Sequence, residues 1–176
     1  MKSKKNIVLI GMMGSGKSSI GKLLSKEMNL EFIDIDRKIE MIEDSTISDI
    51  FKKKGENYFR EIEKTISIDN LKLKNKIISL GGGGFINNSI RKQCFKNCST
   101  IWLNWKIETL MQRINNSKKR PLAMRLNSFE MKKLINERAK IYNLSDYKIN
   151  CDKLKKIQIV KKIIKIYESE KYSNKN

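Results

Sequence analysis

One eight-residue run, G-M-M-G-S-G-K-S at positions 11–18, constrains this chain more than any other feature of its sequence. The apolar run N-I-V-L-I at 6–10 precedes it, and residues 19–28, which follow, have the pattern of a helix. A strand, a G-x-x-x-x-G-K-S loop and a helix in this order predict a phosphate loop, whose backbone N–H groups bind phosphate oxygens beside the helix N-terminus. The Lys17 ammonium would lie near the β- and γ-phosphates of ATP, and the Ser18 hydroxyl would bind Mg²⁺. The loop alone does not identify what accepts a phosphoryl group.

Short apolar runs alternate with longer helix-like stretches along the rest of the chain. Residues 31–33, 76–80, 100–103 and 147–150 read as strands, in addition to 6–10. Short strands separated by helical segments predict an α/β fold, with five parallel strands joined by right-handed crossovers and covered by helices on both faces. No linker divides the 176 residues, so we expect one domain over 1–176 with a frayed tail at about 168–176.

The composition limits the compartment and the partners. The formal net charge is +19, but only seven of the 38 basic residues are arginine, which favours lysine-covered solvated faces over specific nucleic-acid binding. No apolar run approaches the roughly 18 residues of a membrane span, and the basic N-terminus lacks a cleavage site, so we expect a cytoplasmic protein without a membrane contact. Three cysteines without any histidine predict structural thiols rather than a zinc site.

Two carboxylates follow the second predicted strand, in F-I-D-I-D at 32–36. If the chain stays extended there, Asp34 and Asp36 point to the same side and the intervening Ile35 points to the core. Ligands bind at the carboxyl edge of a parallel sheet, where one carboxylate could hold Mg²⁺ and the other could take a proton from an attacking hydroxyl. The alternative is a helix N-cap followed by a solvated acid.

Two arginines and a glycine run are further candidates for an acceptor site. Arg60 borders the apolar stripe of a predicted helix, with Glu63 three residues on, and a surface ion pair is the alternative. Four consecutive glycines at 81–84 would let a ligand approach the backbone, unless they form only a flexible turn. Arg138 shares the inward face of a helix over 130–144, where a guanidinium needs a ligand anion or, alternatively, a protein acid.

A polar stretch at 115–122 contains the only proline of the chain. It predicts a mobile lid at about 112–125, from which Arg120 and Arg125 could reach the phosphates of ATP and exclude water. The last helix presents an apolar stripe to the core, formed in this prediction by Ile157, Val160, Ile164 and Tyr167.

The ordered set of motifs resembles the shikimate kinase family over nearly the whole chain. The set comprises G-x-x-G-x-G-K-S at 11–18, F-I-D-I-D at 32–36, I-F-x-x-x-G-E-x-x-F-R-x-x-E at 50–63, L-G-G-G at 80–83, R-P-L at 120–122 and E-R-x-x-x-Y at 137–142. The resemblance implies a three-layer P-loop kinase fold, a monomer, and transfer of the γ-phosphoryl group of ATP to the 3-hydroxyl of shikimate on the way to chorismate and the aromatic amino acids.

The resemblance also implies roles for particular residues. Shikimate would contact Asp36, Phe59, Arg60, Gly81, Gly82, Gly83 and Arg138, with both arginines on its carboxylate, Asp36 on its hydroxyls and as the base, and Phe51 in the same apolar wall. ATP would contact Gly14, Ser15, Gly16, Lys17, Ser18, Ser19, Arg113 at the adenine and Arg120 from the lid, while Ser18 and Asp34 would organise Mg²⁺. Lys17, Asp36 and Arg120 would be the catalytic residues.

Two departures from the family pattern and three rival functions remain at this stage. Lys140 replaces the proline of the family's R-x-P-x-Y helix, which bears on the orientation of Arg138, and residues 152–156 match the second adenine-contacting region poorly. The rivals are a gluconate-type kinase, a nucleotide kinase and a nucleotide-dependent nucleic-acid-binding protein. A GTPase is excluded because no Asn-Lys-x-Asp motif occurs.

Overall fold

Five parallel strands form a single sheet in the order β2-β3-β1-β4-β5. In the computed structural model, which describes residues 5–115 and 126–173, they are β1 Asn6–Ile10, β2 Glu31–Asp34, β3 Lys76–Ser79, β4 Cys98–Asn104 and β5 Tyr147–Asn150. Every strand was predicted to within two residues at either end. The inner strands β1, β3 and β4 are buried almost throughout, as expected for parallel strands covered on both faces. The predicted lid arginines Arg120 and Arg125 lie outside the described residues.

Seven α-helices connect and cover the strands in the described part of the chain. They are α1 Lys17–Met28, α2 Ile35–Glu43, α3 Ile47–Leu71, α4 Asn88–Asn97, α5 Ile107–Asn115, α6 Ser128–Tyr142 and α7 Lys156–Ser173. A 3-10 turn, Gly84–Ile86, follows β3. Helix α3 is interrupted at Gly55, which has φ 82° and ψ 170°.

Alternate residues of β1 point into two separate apolar cores, one on each face of the sheet. Ile7 and Leu9 pack with α1 and α7, whereas Val8 and Ile10 pack with residues of α2 to α6. The molecule therefore has three layers, as predicted for a parallel sheet with helices on both faces.

The carboxyl ends of β1, β2 and β3 meet at one edge of the sheet, since neighbouring strands are parallel and paired in register. The connections that leave this edge are the phosphate loop after β1, the start of α2 after β2 and the glycine run after β3. All three lead to predicted site residues.

The start of α2 corrects one prediction. Strand β2 ends at Asp34, whose carboxylate accepts the backbone N–H of Arg37 at 3.4 Å and caps α2. Asp36 therefore lies in the first turn of a helix, so the argument from strand alternation was wrong. The N-cap alternative was right for Asp34, whereas Asp36 is not solvated: only 8% of it is exposed.

The apolar stripe of the last helix also differs from its prediction at one position. Helix α7 buries Ile159, Val160, Ile163 and Tyr167, while Ile157 is 44% exposed. Ile157 lies roughly a quarter turn from the centre of the buried positions, at 100° per residue. Helix α7 continues through Ser173, and fraying beyond residue 168 stays a prediction.

No helix in residues 5–115 or 126–173 is long and apolar enough to cross a membrane.

Candidate active site

The phosphate loop has the conformation that its glycines permit. Gly14 and Gly16 have φ values of 77° and 85°, in the left-handed region that residues with a side chain rarely adopt. The Lys17 side chain is buried, and its ammonium donates to the carbonyl oxygens of Gly11 at 2.9 Å and Met12 at 3.1 Å. The lysine therefore lies against the loop itself, where an anionic ligand could exchange with these neutral acceptors.

Helix α5 flanks the outer side of the phosphate loop. The Arg113 guanidinium lies over the Trp105 ring, with its carbon 3.7 Å from the ring centroid, and its Nη1 is 3.4 Å from the Gly14 carbonyl oxygen. The Trp105 indole N–H donates to the carbonyl oxygen of Ser15 at 2.9 Å. Arg113 therefore touches the phosphate loop, while its contact with the base stays a prediction. Sequence reasoning missed Trp105.

Two residues could hold Mg²⁺ at the carboxyl edge of the sheet. Ser18 is exposed in the first turn of α1, and Asp34 is half-buried at the end of β2. The described residues contain no cluster of three metal-binding side chains. This donor set nevertheless suits Mg²⁺, which usually takes one or two protein ligands and completes its octahedron with phosphate oxygens and water.

Arg60 forms an ion pair that sequence reasoning treated as a surface feature. Its Nη1 lies 2.7 Å from the Glu63 carboxylate, and the Glu63 side chain is only 2% exposed. A second pair, to Glu56 at 3.0 Å, is half-exposed. Glu63 is thus a buried member of the site, whereas the sequence indicated it only as a possible surface partner of Arg60.

Burial and neighbouring charges act on the Glu63 carboxyl. Burial raises its pKa above the ordinary value for glutamate, Arg60 opposes this shift, and the nearby charge of Asp36 adds to it. Burial wins, so the Glu63 proton is held more tightly than in solution.

The glycine run lies against these charged side chains. A Cβ at Gly81 would be 2.5 Å from a Glu63 carboxylate oxygen and 2.6 Å from an Asp36 carboxylate oxygen. At Gly83 it would overlap the Arg60 guanidinium. The glycines therefore leave room for the acids and for Arg60, which was not predicted, while the approach of a ligand to their backbone stays a prediction. The run is also an ordered turn, since the Gly84 N–H donates to the Gly81 carbonyl oxygen at 3.0 Å.

Helix α6 brings Arg138 to the same run. Arg138 is 9% exposed, and its Nη1 donates to the carbonyl oxygen of Gly82 at 3.2 Å. One turn later, the Tyr142 hydroxyl donates to the same oxygen. Among residues 5–115 and 126–173, Arg138 makes no salt bridge, so the alternative of a protein acid is not supported there. Helix α6 is uninterrupted at Lys140, and Arg138 keeps its inward orientation.

These groups line one open cleft of about 390 Å³. The cleft combines two arginines, two buried acids and an apolar wall, a set suited to a small hydroxylated acid; its lining is Met13, Asp36, Ile47, Phe51, Phe59, Arg60, Glu63, Gly82, Gly83 and Arg138. Gly81 abuts the two acids, while Arg113 lies at Gly14 on the phosphate loop and is not among the lining residues.

The sequence and the fold both match known proteins. The family model described as shikimate kinase matches residues 13–168. A curated shikimate kinase from Persephonella marina is 40% identical over 91% of this chain and 97% of its own length. Two solved structures are also similar: a shikimate kinase from Acinetobacter baumannii in complex with shikimate (TM-score 0.89, 28% identity, 95% of this chain and 94% of that one) and one from Aquifex aeolicus (TM-score 0.81, 34% identity, 95% and 98%).

Proposed function

Because the chain belongs to the shikimate kinase family, we propose that it transfers the γ-phosphoryl group of ATP to the 3-hydroxyl of shikimate, giving shikimate 3-phosphate and ADP. One observation carries the proposal: a cleft with two arginines and two buried acids opens beside a phosphate loop, at the carboxyl edge of the sheet. The cleft thereby supplies groups for a carboxylate and for hydroxyls next to the nucleotide.

In this proposal the acceptor is held through its charge and its hydroxyl groups. Arg60 and Arg138 bind the carboxylate, because guanidinium groups match carboxylate oxygens in geometry and charge. Asp36 accepts a hydrogen bond from the reacting hydroxyl and takes its proton as the new O–P bond forms and the bond from the γ-phosphorus to ADP breaks. Gly81, Gly82 and Gly83 face the ring, and Phe59 with Phe51 covers its apolar side.

The nucleotide is held by residues 14–19, that is by Gly14, Ser15, Gly16, Lys17, Ser18 and Ser19. Lys17 exchanges its carbonyl partners for the β- and γ-phosphates, where its charge offsets the charge that develops during transfer. Ser18 and Asp34 would hold Mg²⁺, directly or through water, and the ion would neutralise and orient the phosphates. Arg113 contacts the base, and Arg120 acts from a lid at about 112–125.

The remaining proposals concern the cell and the partners. A monomer, which the family resemblance implies, is part of the proposal. The three cysteines are buried and free, which fits the reducing cytoplasm. The basic surface is mostly lysine, so specific nucleic-acid binding is not part of the proposal.

A coupled assay of ADP release tests the proposal when shikimate, gluconate, nucleoside monophosphates and RNA are offered separately. We expect shikimate alone to support turnover, with shikimate 3-phosphate as the product by mass spectrometry. Stimulation by gluconate, a monophosphate or RNA alone would overturn the assignment of the acceptor.

Two substitutions test the chemistry in the same assay. Lys17→Ala should lower kcat about 100-fold or more, because a charge directed at the transferring group is lost. Asp36→Asn should lower kcat by about 100-fold or more, because the amide cannot take the proton. An Asp36→Asn effect confined to KM would show that this residue only binds.

A further inference from the structure

The Trp105 indole N–H donates a hydrogen bond to the Ser15 carbonyl oxygen. Within residues 5–115 and 126–173, no other side chain distant in sequence bonds to this oxygen. Trp105 follows the end of β4 directly and is 90 residues away from Ser15 along the chain. The indole N–H has a single donor and no acceptor, so its 2.9 Å contact with the oxygen has a defined direction. The phosphate loop is thus tethered from outside its own strand and helix.

The tether also orients a phosphate-binding group. The Ser15 carbonyl and the Gly16 N–H belong to one planar peptide unit, and in a trans peptide the two point in opposite directions. Fixing the oxygen on Trp105 therefore directs the Gly16 N–H away from Trp105. Gly16 has φ 85°, a conformation open to glycine because it lacks a side chain. The same lack leaves its backbone free to adopt other conformations, so a constraint from outside the loop has a large effect on it.

The face of the same indole supports the Arg113 guanidinium. The separation of 3.7 Å between the guanidinium carbon and the ring centroid is a close cation–π contact. A guanidinium is flat and has two faces, and stacking one face on Trp105 presents the other in the orientation that a purine base needs. Trp105 thus contacts both the loop that binds phosphates and the arginine that is proposed to contact the base.

The position of Trp105 is itself fixed by the segment after β5. The Asp152 carboxylate accepts the Lys106 N–H at 2.9 Å and the Thr109 hydroxyl at 2.7 Å. The Cys151 N–H donates to the Asn104 carbonyl oxygen at 2.9 Å. Both backbone neighbours of Trp105 are therefore bonded to this segment: Asn104 to Cys151, and Lys106 to Asp152, the first residue of the stretch that matched the family pattern poorly.

We propose that Trp105 is a positioning residue for ATP, which orients the Gly16 N–H through its indole N–H and the Arg113 guanidinium through its ring face. The inference rests on the proposed binding of ATP at this loop. It assigns two separable effects to two parts of one side chain. Ligands with and without a base can therefore distinguish them.

Binding of ADP and of inorganic tripolyphosphate, measured by calorimetry, provides the test. Trp105→Phe keeps a ring but loses the N–H, so both dissociation constants should rise by about three- to tenfold, the usual worth of one hydrogen bond. Trp105→Leu also removes the ring face, which should weaken ADP a further about threefold and leave tripolyphosphate at its Trp105→Phe value. Arg113→Ala should weaken ADP alone.

The other tryptophan of the chain supplies a control. Trp102→Phe removes an indole from β4 and should leave binding of both ligands within about twofold, since single buried ring changes away from a ligand act mainly on stability. In that variant Trp105 is the sole tryptophan, and its emission can be excited selectively over that of the five tyrosines. Its emission should change on addition of ADP or tripolyphosphate and not on addition of shikimate.

Three results would overturn the proposal. Unchanged ADP and tripolyphosphate binding in Trp105→Phe would show that the indole N–H is not needed. A loss of shikimate affinity in that variant as large as the loss of ADP affinity, together with a lower thermal midpoint, would indicate a purely structural role. Trp105 emission in Trp102→Phe that does not change when ADP or tripolyphosphate is added would also indicate a purely structural role, and this measurement needs no substitution at Trp105. Calorimetry needs no turnover, so failure of the wild-type protein to phosphorylate shikimate would count against the proposed function and leave this test intact.

Discussion

Single charged residues in the acceptor cleft control one another's position. Glu63 is almost fully buried, and it lies between Arg60, to which it is paired at 2.7 Å, and the Gly81 backbone. A buried acid beside a partly exposed arginine restricts the guanidinium to few orientations, whereas a flexible surface pair would not. The proposed carboxylate contact of Arg60 therefore depends on Glu63.

Glu63→Gln tests this dependence. The amide is neutral and cannot form the ion pair, so KM for shikimate should rise by about tenfold, while KM for ATP should stay within about twofold. Glu56→Gln is the matched control, because Glu56 also pairs with Arg60 but its side chain is 47% exposed, and its removal should change KM little. Equal effects of the two substitutions in steady-state kinetics would contradict the prediction.

The raised pKa of Glu63 predicts a pH effect with a definite sign. As the pH falls through this raised pKa, the carboxyl gains a proton and the ion pair with Arg60 is lost. The wild-type kcat/KM for shikimate should therefore fall at acid pH, which gives the pH profile an acid limb. The Glu63→Gln variant should have a low kcat/KM at every pH and should lack this limb. A pH profile with the same acid limb in both proteins would assign the limb to another group.

The sequence identified the arginines of the site better than the acids. Arg60 and Arg138 stood out because arginine is rare in this chain and both lie on or beside apolar stripes. Asp36 was expected in the site, but the direction of its side chain was predicted from the alternation of a strand. The residue lies in the first turn of a helix instead. Glu63 could have been found by the test applied to Arg138, since it is four residues after buried Phe59 and three before buried Ile66.

Helix α6 acts as one unit through two side chains a turn apart. Arg138 and Tyr142 both donate to the Gly82 carbonyl oxygen, so the helix and the glycine run are fixed to each other at one atom. Burial raises the pKa of Tyr142 to about 12, so its hydroxyl remains a donor throughout the neutral range. The lysine in place of the family's proline leaves this arrangement intact.

Tyr142→Phe should loosen the helix from the glycine run without removing Arg138. We expect KM for shikimate to rise by about three- to fivefold and stability to fall by about 1 kcal/mol, because one buried hydrogen bond is lost. Denaturant unfolding and steady-state kinetics measure the two effects. Tyr58→Phe, which removes an exposed hydroxyl paired with Glu43, is the control and should change neither KM. A normal KM for shikimate in Tyr142→Phe would separate α6 from acceptor binding.

Elements were predictable where burial is complete, and less so where it is partial. The inner strands β1, β3 and β4 are buried almost throughout, so hydropathy locates them, whereas the edge strands β2 and β5 are only partly buried and contain charged residues. The prediction of the buried face of α7 was wrong at Ile157, because an isoleucine-rich helix has more than one stripe of similar apolar character. Strand order could not be read locally, since it depends on pairings such as Ile7 with Ile77 and Ile7 with Ser99, which are far apart in the chain.

The whole molecule carries a formal net charge of +19 while both proposed substrates are anions. A field of this sign raises the local concentration of ATP more than that of shikimate, because ATP carries the larger negative charge. At the scale of the whole molecule the lysines therefore affect encounter with substrates, although no single lysine of the surface is assigned to the site.

Ionic strength tests this field. Raising NaCl from about 50 to about 500 mM shortens the screening length severalfold, and KM for ATP should rise by about three- to tenfold, while KM for shikimate should rise less than about twofold. Initial rates with Mg²⁺ held in excess give both constants, and sucrose at equal osmolality is the control. Equal increases for the two substrates would indicate a general effect of salt on the protein.

The strand order has a consequence for the chain while it is being made. The middle strand of the sheet, β1, is the first of the five strands to leave the ribosome. Its partners β3 and β4 begin only at residues 76 and 98. Until then both hydrogen-bonding edges of β1, which is apolar apart from Asn6, are open. A chain whose translation stops between β3 and β4 keeps one of these edges unpaired. Aborted chains of intermediate length should therefore be far more prone to aggregate than the released protein.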